Sequence, residues 1–213
     1  MSLFINGLFT GLLKPDTVVG GCIAIFENAW LDPQSTINDI EAECKNTESG
    51  AYWVRAETNG AGAFQDMRTN KLLPITHLGK VSNNITLQQV HNQYNMLLTS
   101  TVPSYINQFE MNSEVWHEEY ALLKYSVGEE YKQHFDGSTF SGRSISAICY
   151  LNDDFEGGEI EFVHFGIKIS PRPGMLILFP SNYAYAHIAH PITSGTKYAL
   201  VTWLKDRYID KPF

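Results

Sequence analysis

The first half of the chain combines apolar runs with stretches of helical periodicity. Residues 20–26 (GGCIAIF) are predicted to form a strand. Residues 32–43 begin with Asp-Pro and carry apolar residues at helical spacing, so a helix is predicted there. Residues 60–73 are polar and irregular and are predicted to be a loop. A second helix is predicted over 82–111, with a break or kink at Pro103.

The second half consists of short runs rich in β-branched and aromatic residues. These runs are 121–125, 145–151, 159–163, 167–170, 175–180, 183–188 and 198–204. Turn residues such as Gly, Pro, Asn and Asp separate them. Many short strands at this spacing are typical of a sandwich or barrel, including the double-sheet jelly roll. With helices concentrated in the first half, the fold class is predicted to be α+β.

Length and charge narrow the class of protein. The chain has 213 residues, of which 44% are hydrophobic and 18% charged, as in an ordinary globular domain. We expect one domain over residues 1–213, with a mixed helix and strand support region at 1–110 and a core at 121–204. The formal net charge is −8 and no run of Lys or Arg occurs, which disfavours a nucleic-acid partner.

The cysteines and the apolar segments bear on the compartment. Cys22, Cys44 and Cys149 are too few and too scattered for a disulfide framework, and they favour a reducing environment. The longest apolar stretches are far shorter than a membrane span, and the N-terminal segment lacks the basic leader of a signal peptide. The sequence therefore predicts a cytoplasmic protein without a membrane partner.

One pair of residues is suited to metal binding. His134 and Asp136 are two positions apart, so that on a strand both side chains point to the same face. A second histidine from a distant strand would complete a face of two histidines and one carboxylate, which leaves metal positions open. The alternative is an ordinary surface His and Asp.

A lysine in a later apolar strand is the second candidate. Lys197 precedes the run that ends at Leu204. Such a lysine usually extends along a sheet edge to reach solvent. A buried ammonium can also hold the far carboxylate of a dicarboxylate co-substrate whose other end binds the metal.

From residue 121 to 204 the chain resembles the iron(II)- and 2-oxoglutarate-dependent oxygenases, in particular their prolyl 4-hydroxylase-like branch. Five motifs in the same order carry this resemblance: residues 125–136 (YSVGEEYKQHFD), 143–152 (RSISAICYLN), 157–162 (GGEIEF), 169–174 (ISPRPG) and 187–204 (HIAHPITSGTKYALVTWL). The resemblance implies a double-stranded β-helix, or jelly-roll, core with supporting helices mainly from the N-terminal half. It implies no function for residues 1–110.

The resemblance also implies roles for individual residues. His134, Asp136 and His187 match the metal ligands, and His187 is preferred to His190 because the family's distal ligand lies four residues before the Pro and ten before the Lys. The residues that match co-substrate positions are Lys197, Tyr150, Tyr125 and Ser146, with Ser146 standing where the family commonly has Thr. The residues that match positions at the substrate mouth are Tyr131, Arg143 and Trp203.

The activity implied by the family is a hydroxylation. Fe(II), dioxygen and 2-oxoglutarate are the expected cofactors and co-substrates, with ascorbate as an accessory reductant, and the typical substrate is a prolyl residue in a peptide or protein. Two alternatives stay open: the same chemistry on a free amino acid or small metabolite, and a cupin-like metal-binding protein without turnover. The intact ligand set and Lys197 argue against the second alternative.

Overall fold

The structure is a computed structural model that describes residues 4–5, 8–9, 11–46, 51–56, 67–75, 84–111, 113–138 and 141–207. Its elements in chain order are β1 (Phe4–Ile5), β2 (Leu8–Phe9), β3 (Thr17–Val19), β4 (Ile23–Phe26), α1 (Pro33–Lys45), β5 (Val54–Arg55), β6 (Lys71–Leu73), α2 (Ile85–Gln108), β7 (Val115–His117), β8 (Ala121–Tyr125), β9 (Tyr131–His134), β10 (Arg143–Tyr150), β11 (Glu156–Gly157), β12 (Ile160–Phe162), β13 (Ile167–Ile169), β14 (Leu176–Pro180), β15 (His187–Ala189), β16 (Ile192–Ser194) and β17 (Lys197–Asp206).

A nine-stranded sheet forms the larger layer. Its strand order is β3-β4-β14-β10-β17-β8-β6-β5, and β7 pairs with the far end of β17. The central strand β10 pairs in antiparallel register with β14 and β17. Because side chains alternate along a strand, β10 sends Ser146, Ile148 and Tyr150 into the cavity described below and turns Ile145 and Cys149 to the opposite face.

The helices cover that opposite face. The side chain of Asp32 accepts a hydrogen bond from the Ser35 amide at the start of α1, and Asn84 accepts one from Leu87 at the start of α2. Buried residues of both helices form one hydrophobic core with the residues of β10, β14 and β17 that face the helices. Tyr94 of α2 is fully buried within this core. The helices therefore support the sheet from behind and leave its other face free for a site.

A smaller sheet closes the other side. Its strand order is β13-β12-β15-β9, and all its pairings are antiparallel. A second hydrophobic cluster joins it to the larger sheet, where Ile160 and Phe162 of β12 pack with Ile177 and Phe179 of β14. The two sheets face each other, and the candidate site lies between them.

Both helices predicted in the first half are confirmed, and the loop prediction is wrong at residues 71–73, while residues 60–66 lie outside the described part of the chain. Residues 71–73 form β6, an inner strand of the larger sheet, although their polar surroundings had indicated a loop. Helix α2 continues past Pro103 to Gln108. Pro103 removes one backbone hydrogen bond, but Val102 and Tyr105 beside it are buried in the core, and tertiary packing stabilises helices more than local propensity does.

No helix in the described part of the chain is long and apolar enough to cross a membrane.

Candidate active site

The three predicted metal ligands meet at the end of the smaller sheet. His134 ends β9 and lies opposite His187, the first residue of β15, in the strand register. Asp136 follows two residues after His134. His134 Nε2 lies 3.6 Å from Asp136 Oδ1, and His187 Nε2 lies 3.8 Å from Asp136 Oδ2. All three ligand atoms fall within 4.8 Å of one another, which suits a shared metal ion.

Hydrogen bonds fix the orientation of both imidazoles. His134 Nδ1 lies 2.7 Å from the carbonyl oxygen of Lys132, and His187 Nδ1 lies 3.1 Å from that of Tyr185. A carbonyl only accepts hydrogen bonds, so each Nδ1 carries the proton and each Nε2 keeps its lone pair. This backbone contact is the usual device that aims a histidine at a metal.

The electrostatics of the cluster match this arrangement. Burial and the neighbouring His187 lower the pKa of His134 to about 3, so that the imidazole is neutral near pH 7. Burial alone would raise the pKa of Asp136, but His187, His134 and hydrogen bonds from Ser146 and Trp203 outweigh it, and the pKa lies below its ordinary value. Imidazole nitrogens together with a carboxylate form a donor set that suits a divalent transition metal.

The cluster opens into a cavity between the two sheets. Lys197 lies in the wall of this cavity and is 2% exposed. Its Nζ donates a hydrogen bond to the carbonyl oxygen of Gly158 at 2.7 Å and lies 4.4 Å from the ring centroid of Tyr125. Burial lowers its pKa to about 7, and the charge of Glu159, which acts in the opposite direction, offsets only part of this effect.

Two tyrosines line the same part of the cavity. Tyr125 and Tyr150 are both buried, and both were predicted to lie near the co-substrate. Burial raises the pKa of Tyr125 to about 12 and that of Tyr150 still further. Both phenols therefore stay protonated and can donate a hydrogen bond to an anion beside Lys197.

Ser146 also lines the cavity, but its hydroxyl is directed at the metal ligands. Its Oγ lies 2.7 Å from Asp136 Oδ2 and 2.8 Å from the hydroxyl of Ser181. The sequence had indicated a contact with the co-substrate for this residue. In the structure its hydroxyl contacts the carboxylate that would bind the metal, and the co-substrate role stays a prediction.

An aromatic residue shields the metal cluster at the mouth of the cavity. Tyr131 stacks on the imidazole of His134, with ring centroids 3.4 Å apart and 11° between the planes. The guanidinium of Arg68 lies 5.0 Å from the centroid of the Tyr131 ring. Arg68 is buried and donates to the side chain of Asn70, so it forms a fixed part of the wall.

Arg143 and Trp203 form the other side of the mouth. Arg143 lies 3.7 Å from the centroid of the Trp203 ring and binds both carboxylate oxygens of Glu118, at 3.1 and 2.8 Å. Lys205 also binds Glu118, at 2.8 Å. The guanidinium that the sequence had indicated for a substrate carbonyl is therefore largely engaged with Glu118.

His190 lies outside the metal cluster. Its Nε2 is 2.6 Å from Glu161 Oε2, and Lys168 Nζ is 3.5 Å from the same oxygen. His190 forms part of a polar group on the outer side of the smaller sheet, in line with the preference for His187 as the ligand.

Sequence reasoning had missed three residues of the site: Arg68, Glu118 and Ser181. Arg68 lies in a polar stretch without periodicity, and Glu118 and Ser181 lie just outside predicted strands. Their partners are distant in the sequence, so no local pattern marks them.

Residues 120–205 match the family model of the 2OG-Fe(II) oxygenase superfamily. In its sequence match, its ligand cluster and its two facing sheets, this segment is similar to that superfamily. Within the superfamily, its similarity is to the prolyl 4-hydroxylase-like branch.

Curated relatives and solved structures agree with this assignment. The chain is 29% identical over 119 residues to the probable prolyl 4-hydroxylase 9 of Arabidopsis thaliana, covering 42% of this chain and 41% of that protein. It is 33% identical over 92 residues to human prolyl 3-hydroxylase 2, covering 41% of this chain and 13% of that protein. The chain thus spans less than half the length of these relatives.

A solved prolyl hydroxylase from Trichoplax adhaerens, in complex with a peptide fragment of hypoxia inducible factor, has the same fold. The TM-score is 0.67 at 18% identity, over 88% of this chain and 84% of that one. This likeness confirms the predicted α+β jelly-roll fold.

Proposed function

We propose that the protein is an iron(II)- and 2-oxoglutarate-dependent dioxygenase that hydroxylates a prolyl residue in a peptide or protein. The observation that carries this proposal is one cavity that holds both an open face of metal ligands and a buried cation. The ligands are His134, Asp136 and His187, and the cation is Lys197. A metal-binding protein without turnover has no need for such a cation.

The chain's own residues would divide the work of binding. The three ligands would hold Fe(II), and Lys197, with the hydroxyls of Tyr125 and Tyr150, would bind the far carboxylate of 2-oxoglutarate. Bound iron supplies the redox chemistry in which dioxygen and 2-oxoglutarate become succinate, carbon dioxide and one hydroxyl group on the substrate. The two sheets exclude bulk water from this cavity and hold the ligands in place.

The walls of the mouth support a neutral ring as the substrate group. Tyr131 and Trp203 present aromatic surface beside the metal cluster, and an aromatic wall suits a pyrrolidine ring. Two nitrogens of the Arg143 guanidinium donate to Glu118, which leaves Arg143 fewer donors for the free carboxylate of an amino acid. The relatives named as prolyl hydroxylases support the same substrate class.

We also propose that the protein works in a reducing compartment. Cys22, Cys44 and Cys149 are all free thiols. The cytoplasm is our working prediction, and cell fractionation tests it.

The test is succinate release from 2-oxoglutarate with Fe(II) and ascorbate, with and without candidate substrates. We expect proline-containing peptides to raise succinate release and to gain the mass of one oxygen on proline. His187→Ala should abolish the activity, and His190→Ala serves as the matched control that retains it. Stimulation by a free amino acid but by no peptide would refute the prolyl assignment and leave the oxygenase chemistry. A parent protein without any turnover of 2-oxoglutarate would refute both.

A further inference from the structure

We propose that Ser181 and Ser146 form a hydrogen-bond relay that positions the Asp136 carboxylate for metal binding. The inference rests on the metal site of the proposed function and assigns both serines a positioning role. It begins from an observation of burial: both serines are 1% exposed, and their hydroxyls contact each other.

The number of hydroxyl protons decides which serine donates each hydrogen bond of the relay. The Ser146 hydroxyl lies 2.7 Å from Asp136 Oδ2, and because a carboxylate oxygen accepts, Ser146 donates this hydrogen bond. Ser146 has one hydroxyl proton, and this contact uses it. In the contact at 2.8 Å between the two serines, Ser181 must therefore donate. Each hydrogen bond in such a chain polarises and strengthens the next.

The backbone around Ser181 is fixed on both sides. Its amide donates to the carbonyl oxygen of Ser144 on β10 at 2.9 Å, and its carbonyl oxygen accepts from the amide of Gly137 at 2.7 Å. Gly137 directly follows Asp136. Ser181 therefore joins the turn that carries the ligand to the central strand of the larger sheet.

Gly137 shows how closely these segments pack. A Cβ atom at this position would lie 2.9 Å from the carbonyl oxygen of Ser181 and 3.1 Å from that of Arg143. Both neighbours are backbone atoms that cannot rotate away. The close approach brings the ligand turn within reach of the serine pair, and the hydroxyls then set the rotation of the carboxylate.

The two histidine ligands have restraints of the same kind. Each is aimed by a backbone carbonyl on its Nδ1. Asp136 needs an equivalent restraint, and a hydroxyl donor provides it. Loss of such an outer partner typically costs about 10–100-fold in metal affinity.

The test is Co²⁺ binding to the full chain, measured by calorimetry and by the visible absorption of the bound ion. Ser146→Ala should weaken binding by about 10–100-fold and change the absorption spectrum. Ser181→Ala keeps both backbone hydrogen bonds and should weaken binding by a smaller factor. Ser146→Thr should restore binding, because it retains the hydroxyl. Ser144→Ala is the matched control, since its hydroxyl donates to Leu204 on the neighbouring strand, and it should bind as the parent does.

The double variant distinguishes a relay from two separate structural effects. If Ser181 acts through Ser146, Ser146→Ala with Ser181→Ala should bind Co²⁺ as weakly as Ser146→Ala alone, whereas independent effects add. Additive losses, or parent-like affinity and spectrum in Ser146→Ala, would overturn the relay. Circular dichroism checks folding, and if Ser146→Ala does not fold, Ser146→Cys, with a weak donor of similar size, takes its place with the same expected loss.

One further variant separates this inference from the proposed function. His187→Ala should lose Co²⁺ binding. If it binds as the parent does, the ion is held elsewhere and the metal site itself is wrong. If His187→Ala loses binding while both serine variants keep it, only the relay is wrong.

Discussion

Lys197→Met should stabilise the ligand-free protein and abolish its response to 2-oxoglutarate. Lys197 is 2% exposed, and burial lowers its pKa from 10.5 to about 7. A lowering of this size means that the buried ammonium reduces the free energy of unfolding by about 4–5 kcal/mol near pH 7. Methionine has a similar length and no charge, so it removes this cost.

Part of the gain is offset by contacts that the variant loses. The carbonyl oxygen of Gly158 loses its donor at 2.7 Å, which costs about 1–3 kcal/mol, and the contact with the Tyr125 ring at 4.4 Å contributes about 1 kcal/mol more. The net expectation is a stabilisation of up to about 3 kcal/mol at pH 7. The folded pKa lies below the unfolded one, so the gain is full below about pH 7 and fades as the pH rises towards 10.5.

Urea unfolding with and without 2-oxoglutarate measures both effects. In the presence of a divalent metal, 2-oxoglutarate should stabilise the parent and leave Lys197→Met unchanged, with a loss of affinity of at least about 30-fold. Lys124→Met is the matched control on the neighbouring strand. Lys124 pairs with Glu41 at 2.7 Å, so its loss should destabilise by about 1 kcal/mol and leave the response to 2-oxoglutarate intact.

The opposite result would refute the reasoning. If Lys197→Met unfolds more easily than the parent at pH 7, the ammonium has a stabilising partner and its charge is not held at a cost. If the variant binds 2-oxoglutarate as the parent does, Lys197 is not the residue that holds the co-substrate.

Three further predictions concern the choice of metal ligand, the backbone at Gly157 and the protonation of Lys197. His187→Ala should lower Co²⁺ affinity more than about 100-fold while His190→Ala changes it little, as calorimetry would show, and equal losses would contradict the choice of ligand. Gly157→Ala should destabilise by at least about 1 kcal/mol in thermal unfolding, because φ is +74° and a Cβ would overlap the Pro191 carbonyl oxygen; an unchanged Tm would contradict this. Binding of 2-oxoglutarate should take up about half a proton at pH 7 as Lys197 becomes fully charged, seen as a buffer-dependent binding enthalpy, and a buffer-independent enthalpy would count against it.

The proximity of His134 and Asp136 could be predicted from the sequence because their spacing reflects strand geometry, whereas the choice of His187 came from its match to the family motif. His134 and Asp136 are two residues apart at the end of a strand, and His187 is marked by its distance from Lys197. Because side chains alternate along a strand with a period of two, such a pair can be recognised from the local sequence. Six of the seven strands predicted in the second half overlap β8, β10, β12, β13, β14 and β17, whereas in the seventh, residues 183–188, a 3-10 helix occupies Tyr183–Tyr185 and β15 begins only at His187.

The supporting contacts could not be predicted, because they join residues that only the folded chain brings together. Glu118 holds Arg143 from 25 positions away, and Ser181 meets Ser146 across 35. Arg68 reaches Tyr131 from the first half, where the sequence shows no periodic pattern. Ser146 had been read as a co-substrate residue because the family motif fixes its place on the strand, while the direction of its hydroxyl depends on the loop that carries Asp136.

The charges that line the cavity explain why we expect Lys197 to become protonated when the co-substrate binds. Asp136 contributes one negative charge and Lys197, when protonated, one positive charge, yet their side chains serve different ends of the cavity and neither relieves the burial of Lys197. A divalent metal beside Asp136 adds two positive charges, and the dicarboxylate co-substrate adds two negative ones. The charges of the metal and the co-substrate cancel, so the four contributions sum to zero when Lys197 is protonated, as Asp136 and Lys197 do by themselves. What binding changes is the distance between opposite charges: the far carboxylate of the co-substrate would lie beside the buried Lys197 and favour its protonated form.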